Sequence, residues 1–173
     1  MRKPVLTIAF VAALAASAFA KEEQKINDAQ IAHIAYTAGQ IDIAAGKQAL
    51  AKSQDPMVRM FAEEMVRDHT AVNDQALALV KKLGVTPQDN PTSMSLSDSA
   101  AQKLKDYEKL SGHAFDVAYI QNEVAYHKAV NGAVSGMLIP NAQNKELTDL
   151  LETGLKLFTE HQHHAEHLAA TAH

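Results

Sequence analysis

The sequence predicts an all-α fold, a four-helix bundle in which one long crossover between helices 2 and 3 contains a short extra helix. No stretch of the 173 residues alternates apolar and polar side chains with the period of two that is typical of strands. Apolar residues instead recur at intervals of three and four, which is typical of one buried helix face. Glycine and proline are sparse, at seven and five residues, and they separate four long segments.

The first two helices have clear start and stop signals. Helix 1 is predicted from Asp28 to Ser53, with Asn27 or the first helical residue itself as the N-cap. Helix 2 begins at Pro56, because Asp55 is a good N-cap and proline suits the first helical position. Gly84 ends helix 2, since glycine readily adopts the left-handed conformation that closes a helix.

The connection to helix 3 is long. Residues 85–97 contain two prolines and several small polar residues, so we expect an irregular segment there. A short helix from about Asp98 to Leu110 follows, and residues 111–112 separate it from helix 3. Because the connection is long, the sequence leaves open whether helix 3 runs parallel or antiparallel to helix 2.

The last two helices are joined by a short turn. Helix 3 is predicted to run to about Ile139, where Pro140 stops it. Asn144 is the predicted N-cap of helix 4, which continues nearly to the C-terminus.

Residues 1–20 have the pattern of a secretory signal peptide. Two basic residues precede an apolar run at residues 5–16, and Ala18–Ala20 forms a small-x-small cleavage site. The expected domain therefore occupies residues 21–173 and is exported, most simply to a bacterial periplasm, with association with the outer membrane left open. The apolar run is too short for a lasting membrane span, and no later segment qualifies.

Composition narrows the functional classes. The net charge is −4 and no basic run occurs, so we expect no nucleic-acid partner. The absence of cysteine excludes disulfides, thiolate metal sites and cysteine nucleophiles. The sequence contains no catalytic triad, phosphate-binding loop or dinucleotide-binding motif, and we assign no catalytic residues. A protein partner and the oligomeric state remain open.

Each long helix carries a polar residue on its predicted inward side: Asp42, His69, His127 and His161. At about 1.5 Å per residue, Asp42 lies ~18 Å and His69 ~22 Å from the turn between helices 1 and 2. His127 and His161 lie ~21 and ~27 Å from the turn between helices 3 and 4. All four therefore fall near the middle of the bundle, where helical bundles build metal and cofactor sites.

Three imidazoles and a carboxylate form a ligand set for a transition-metal ion, and zinc, copper, nickel and iron all accept it. The alternative is a hydrogen-bonded polar layer in which the histidines pair with Asp42 or Asp68 and fix the helix register. Glu64 and Glu123 are near enough in sequence to assist as outer partners or additional ligands, or they are ordinary solvated residues.

A second signal lies at the end of helix 4, where histidine and glutamate are concentrated. His163 and His167 are four residues apart and can chelate a metal at the surface, or they can complement the helix dipole when protonated. The members of this cluster are Glu160, His161, His163, His164, Glu166, His167 and His173.

Two segments resemble a known family, the exported bacterial proteins grouped as domain of unknown function 4142 and often described as outer-membrane proteins. Helix 2 contributes the pattern Phe-Ala, Met-Val, Asp-His and a following Asn in "FAEEMVRDHTAVN"; helix 3 contributes "SGHAFDVAYIQNEVAYH". His161 falls where the family has its helix 4 histidine. The resemblance implies a ferritin-like bundle and export. Tyr126 and Ala44 stand where the family often has acidic residues.

The leading functional hypothesis is a non-catalytic metal-binding or metal- and envelope-stress protein. Its expected ligands are His69, His127 and His161, with Asp42 assisting. The rival is a structural or interaction module of the cell envelope. A di-iron oxidase is disfavoured, because such sites typically use about four glutamates and two histidines.

Overall fold

Four long helices form most of residues 26–171, the range that the computed structural model of the protein describes. They are α1 (Asp28–Lys52), α2 (Pro56–Leu83), α4 (Gly112–Ala133) and α6 (Lys145–Thr171). The crossover contains α3 (Pro91–Glu108), and a short α5 (Ile139–Asn141) precedes the last helix. Within residues 26–171 there is no strand, and no helix has the length and apolar character of a membrane span. The predicted signal peptide and His173 lie outside this range.

Side-chain caps fix the starts of three of the four long helices, α1, α2 and α6, as the sequence predicts. Asn27 is the N-cap of α1 and forms a reciprocal capping box with Gln30. Asp55 accepts two backbone N–H bonds at the start of α2, and Asn144 accepts two at the start of α6. Gly84 closes α2 with φ at 64°, a left-handed conformation that glycine adopts without a steric penalty.

The crossover helix is longer than predicted and begins at Pro91 rather than Asp98. Asn90 accepts a hydrogen bond from the Ser93 backbone N–H, and Ser93 accepts one from the Asn90 backbone N–H. Pro91 occupies the first helical position, where its missing N–H costs nothing. Residues 91–97 of the predicted irregular segment are therefore the first turns of α3, whereas residues 85–90 are irregular as predicted.

Predicted helix 3 corresponds to α4 and the helical residues that follow it, and it also extends beyond Pro140. A π-helical turn spans Val134–Leu138, and the Ile139 N–H donates to the Val134 carbonyl five residues earlier. Proline has no N–H to donate to the carbonyl of Gly136, and its ring would clash with that carbonyl in an α-helix. The wider turn accommodates the proline, so the helical path ends at Asn141 instead of Ile139.

Contacts between helices establish their directions. Lys82 pairs with Glu146, and Asp68 bonds with His161, so α2 and α6 are antiparallel. The tight turn at residues 142–144 makes α4 antiparallel to α6 as well. It follows that α2 and α4 are parallel, and the long crossover is required to return the chain to the starting end. This is the connectivity of ferritin-like bundles.

Two apolar clusters fill the bundle, one near each end. The first is rich in aromatic residues and contains Phe61, Tyr107, Phe115 and Tyr119. The second is aliphatic and is built from Ile31, Ile34, Val134, Leu138, Leu147 and Leu151. On α1, Asp42 lies between the residues of the two clusters, so the polar residues form a layer that separates them.

Candidate metal centre

The structure brings together all four predicted ligands in the layer between the two apolar clusters. Asp42, His127 and His161 are each 1% exposed, and His69 is 3% exposed. The centroids of the three imidazole rings lie 5.3 to 5.7 Å from one another. Four helices thus each contribute one buried polar side chain to a single position in the core.

The histidine nitrogens are close enough to share an ion. One ring nitrogen from each of His69, His127 and His161 lies within 4.8 Å of the other two. Tetrahedral Zn²⁺ with bonds of ~2.1 Å needs nitrogens about 3.4 Å apart. The three nitrogens are therefore at most about 1.4 Å farther apart than that geometry requires.

Asp42 lies against two of the histidines without forming hydrogen bonds of good geometry. Its Oδ2 atom is 3.0 Å from Nε2 of His69 and 3.3 Å from Nε2 of His127. Among the described residues, neither oxygen of Asp42 nor either nitrogen of His69 has a properly aligned partner. Each such buried group costs roughly 1–3 kcal/mol when unsatisfied. A cation between these atoms would satisfy their lone pairs, so the residues present fit a metal.

Hydrogen bonds orient two of the rings. Nδ1 of His127 donates to the backbone carbonyl of Glu123 at 3.0 Å, so the neutral ring keeps the lone pair on Nε2. Nε2 of His161 donates to Oδ2 of Asp68 at 3.1 Å, which leaves the lone pair on Nδ1. His69 is held differently, stacked on Phe158 at 4.6 Å. Bonds of this kind fix the tautomers of metal-binding histidines.

The protonation states also suit a metal site. Burial lowers the pKa of His127 to about 4, although Asp42 opposes the shift, and burial likewise lowers the pKa of His161. Both rings are therefore neutral near pH 7 and can donate lone pairs. For Asp42, burial raises the pKa, but the neighbouring histidines, His69 foremost, outweigh burial and hold it below its ordinary value.

Glu123 is the residue whose role the sequence left open, and it lies in the core at 1% exposure. Burial, reinforced by the Asp42 carboxylate, raises its pKa well above the ordinary value and so favours its protonated form. It forms a second possible metal-binding group with Asp42 and His127. Glu123 precedes His127 by four residues, a spacing that places both on one helix face.

Two buried tyrosines near Glu123 were not predicted. The hydroxyls of Tyr107 and Tyr119 have no hydrogen-bond partner within residues 26–171. Burial raises the pKa of both phenols, and the carboxyl groups of Glu123 and Asp42 raise it further when they are ionised. Tyr119 lies one helical turn before Glu123, and that spacing was the available sequence signal.

The described residues at the end of α6 do not form one site. His164 turns inward, with Nδ1 2.7 Å from Oε2 of Glu64, and both side chains are 30% exposed. His163 and His167 are both exposed, on the side of the helix away from the core. Glu64 also joins Asp68 and His161 in a third possible metal-binding group, where the Arg67 guanidinium holds the pKa of Asp68 below its usual value.

Comparisons with known proteins support the family resemblance and the fold. Residues 12–168 match the family described as Domain of unknown function (DUF4142). The fold is similar to the crystal structure of a Streptomyces coelicolor protein described as secreted, DUF305, with a TM-score of 0.71 and 12% identity over 83% of this chain and 91% of that chain. At this identity the likeness concerns the fold alone. The curated proteins give no match.

Proposed function

This chain belongs to the family described as Domain of unknown function (DUF4142), and from that premise we propose that it is an exported protein that binds one transition-metal ion inside its bundle. The ligands are His69, His127 and His161, with Asp42 assisting. Residues 1–20 are the cleaved signal peptide, and residues 21–173 act in the periplasm in metal handling or in the response to metal stress of the envelope.

One observation supports the proposal most directly. Buried ring nitrogens of three histidines converge in the core, and in the described part of the chain they have no hydrogen-bond partner of good geometry. Nε2 of His127, Nδ1 of His161 and both nitrogens of His69 lack aligned partners within residues 26–171. A stable core rarely leaves so many polar atoms unsatisfied in one place. Zinc, copper, nickel and iron are all bound by neutral imidazoles, so the donor set defines the class of ion.

The burial of the ligands favours binding over turnover. None of the four side chains is more than 3% exposed, so the ion would be enclosed by protein. The core layer supplies two carboxyl groups, Asp42 and Glu123, beside three imidazoles. This nitrogen-rich set differs from the carboxylate-rich set of di-iron enzymes.

Metal analysis of the purified mature protein tests the proposal. We expect about one equivalent of a single metal by mass spectrometry, and saturable binding by calorimetry after chelation and reloading. A variant with His69, His127 and His161 all changed to Ala should lose that equivalent. A His163→Gln/His167→Gln variant is the matched control, since it removes two histidines outside the core, and it should keep the equivalent.

Two outcomes would overturn the metal site. Metal that persists in the core variant and disappears in the control would assign binding to the end of α6. Absence of metal in every variant, with lower stability in the core variant, would favour a structural polar layer. The hydrogen bonds of His161 to Asp68 and of His127 to the Glu123 carbonyl are the observations that favour this second function, a structural or interaction module of the envelope.

A further inference from the structure

An apolar cavity of about 310 Å³ lies between the polar layer and the aliphatic cluster. All four long helices line it, and it exists because they present small side chains where bundle cores usually have large ones. The small residues that line it include Ala35, Ala38, Ala76, Ala133 and Gly154.

The cavity has two chemically different ends. At one end it reaches His69 and His127 of the polar layer, and at the other it meets Leu138 and Leu147. Exposed Thr92, at the start of α3, also lines it, which places an opening to solvent beside the crossover helix. A molecule that enters there would have its apolar part enclosed and one end against the histidines.

Most polar groups along the cavity already form hydrogen bonds within the protein. The Tyr126 hydroxyl donates to the Ala38 carbonyl at 2.7 Å, and the Asn73 amide donates to the Tyr36 carbonyl at 3.3 Å. His69 and His127 are different, because each has a ring nitrogen without an aligned partner in the described part of the chain. These two buried rings are therefore the groups that can receive the polar end of a ligand.

The wide helical turn shapes the apolar end. Val134, Met137 and Leu138 all line the cavity, and all three belong to the π-helical turn. Single π-helical turns inside α-helices occur frequently at functional sites. Here the turn supplies a wall of aliphatic side chains opposite the histidines.

We propose that this cavity binds an uncharged amphiphile, an apolar body with a single hydroxyl group that hydrogen-bonds to His69 or His127. An engineered cavity of ~150 Å³ in another protein holds benzene, so this volume takes an apolar body of about two rings or a comparable aliphatic chain. The Asp42 carboxylate, 3.0 Å from the His69 ring, repels an anionic head group. An ammonium head would lose its hydration in the apolar cavity. In the metal-free protein the hydroxyl takes the histidine lone pair that the proposed ion would otherwise use, so this binding requires no metal.

Titration of the mature protein with n-alkanols from hexanol to dodecanol tests the proposal. We expect saturable binding by calorimetry that strengthens about fourfold for each added methylene and levels off when the cavity is full. Ala133→Leu places a larger side chain in the cavity, so it should weaken binding of the longest alcohols at least tenfold. Ala71→Leu changes an exposed residue of α2 outside the cavity and should leave binding unchanged.

Further measurements distinguish ligand binding in the cavity from metal binding by the histidines. Binding of the alkanols should persist after chelation, so failure of metal binding would leave it intact. Absence of saturable binding, affinity independent of chain length, or equal affinity in Ala133→Leu would overturn the cavity as a ligand site. Tighter binding of the matched carboxylates or amines would overturn the assignment of an uncharged head group.

Discussion

Two different neighbours contact the ring nitrogens of His127 in the core. His127 donates from Nδ1 to a backbone carbonyl of its own helix, and its Nε2 faces Asp42 of α1. The first contact fixes the tautomer, and burial keeps the ring neutral. His127 therefore presents the lone pair of Nε2 to the core even in the absence of an ion or a ligand.

The neutral state of His127 predicts a loss of stability in acid for the metal-free protein. Its pKa is about 4 when folded and near 6.5 when unfolded, so only the unfolded chain takes up the proton between these values. Stability is fully present above pH 6.5 and falls as the pH decreases towards 4, by up to about 3 kcal/mol from this residue. Urea unfolding across this range measures it.

The matched variant is His127→Gln, which has no titrating ring. The difference in unfolding free energy between the wild type and this variant isolates the contribution of His127 from those of other groups. A difference that stays constant from pH 4 to 7 would contradict a depressed pKa.

Glu123 predicts the opposite pH dependence. Its pKa is raised in the folded state, so as the pH rises above 4.5 the unfolded chain releases the proton before the folded protein does. Stability from this group is present below pH 4.5 and is lost as the pH rises, at about 1.4 kcal/mol per pH unit while the folded acid stays protonated. Glu123→Gln should therefore become more stable than the wild type as pH increases, measured by urea unfolding. Glu63→Gln, at an exposed position, controls for the loss of a carboxyl group.

The candidate site could be predicted only where its residues follow the helical repeat. Asp42, His127 and His161 lie in apolar seams of the sequence, and His69 flanks one, so all four were identified. Glu123 lies beside the seam of its helix, and glutamate is usually solvated there. Its burial is a consequence of neighbours on other helices, which periodicity within one helix does not describe.

At the scale of the elements, capping side chains explain both what was predicted and what was missed. Asn27, Asp55 and Asn144 were recognised because an apolar-periodic helix follows each of them. Asn90 has the same chemistry, but α3 buries only Ser93 and Tyr107 and has little periodicity. The extra turns of α3 depend on the cap and on contacts with α1. The cap can be recognised from the adjacent sequence, whereas the contacts with α1 cannot.

The contribution of the α3 N-cap to stability can be compared with that of the α4 N-cap, which forms no side-chain capping bond. Asn90→Ala removes the capping box and the contact of Asn90 with the Gln30 carbonyl, so we expect a loss of about 1 kcal/mol in unfolding free energy. Ser111 occupies the N-cap position of α4 without a side-chain capping bond, so Ser111→Ala should change stability by less than about 0.5 kcal/mol. Equal losses in the two variants would contradict this account.

For the whole molecule, the proposed metal site predicts that metal binding and folding are linked. An ion that binds only the folded state should raise the unfolding free energy by about 2.7 kcal/mol at a free concentration of 100 times Kd. Thermal unfolding with and without added metal measures this gain. The variant with His69, His127 and His161 changed to Ala should show none of it, and a gain that survives in this variant would place the ion elsewhere.

The bundle is packed unevenly along its length. One half holds the rings of Phe61, Phe115 and their neighbours, and the other half contains the 310 Å³ cavity. Hydrostatic pressure favours states in which internal voids are eliminated, so compression should affect the two halves differently. Under pressure, NMR signals of Val134 and Leu147 should shift or broaden before those of Phe115. Water would then enter the hollow half while the aromatic half keeps its structure, and occupancy of the cavity by an alcohol would make the whole bundle respond as one unit.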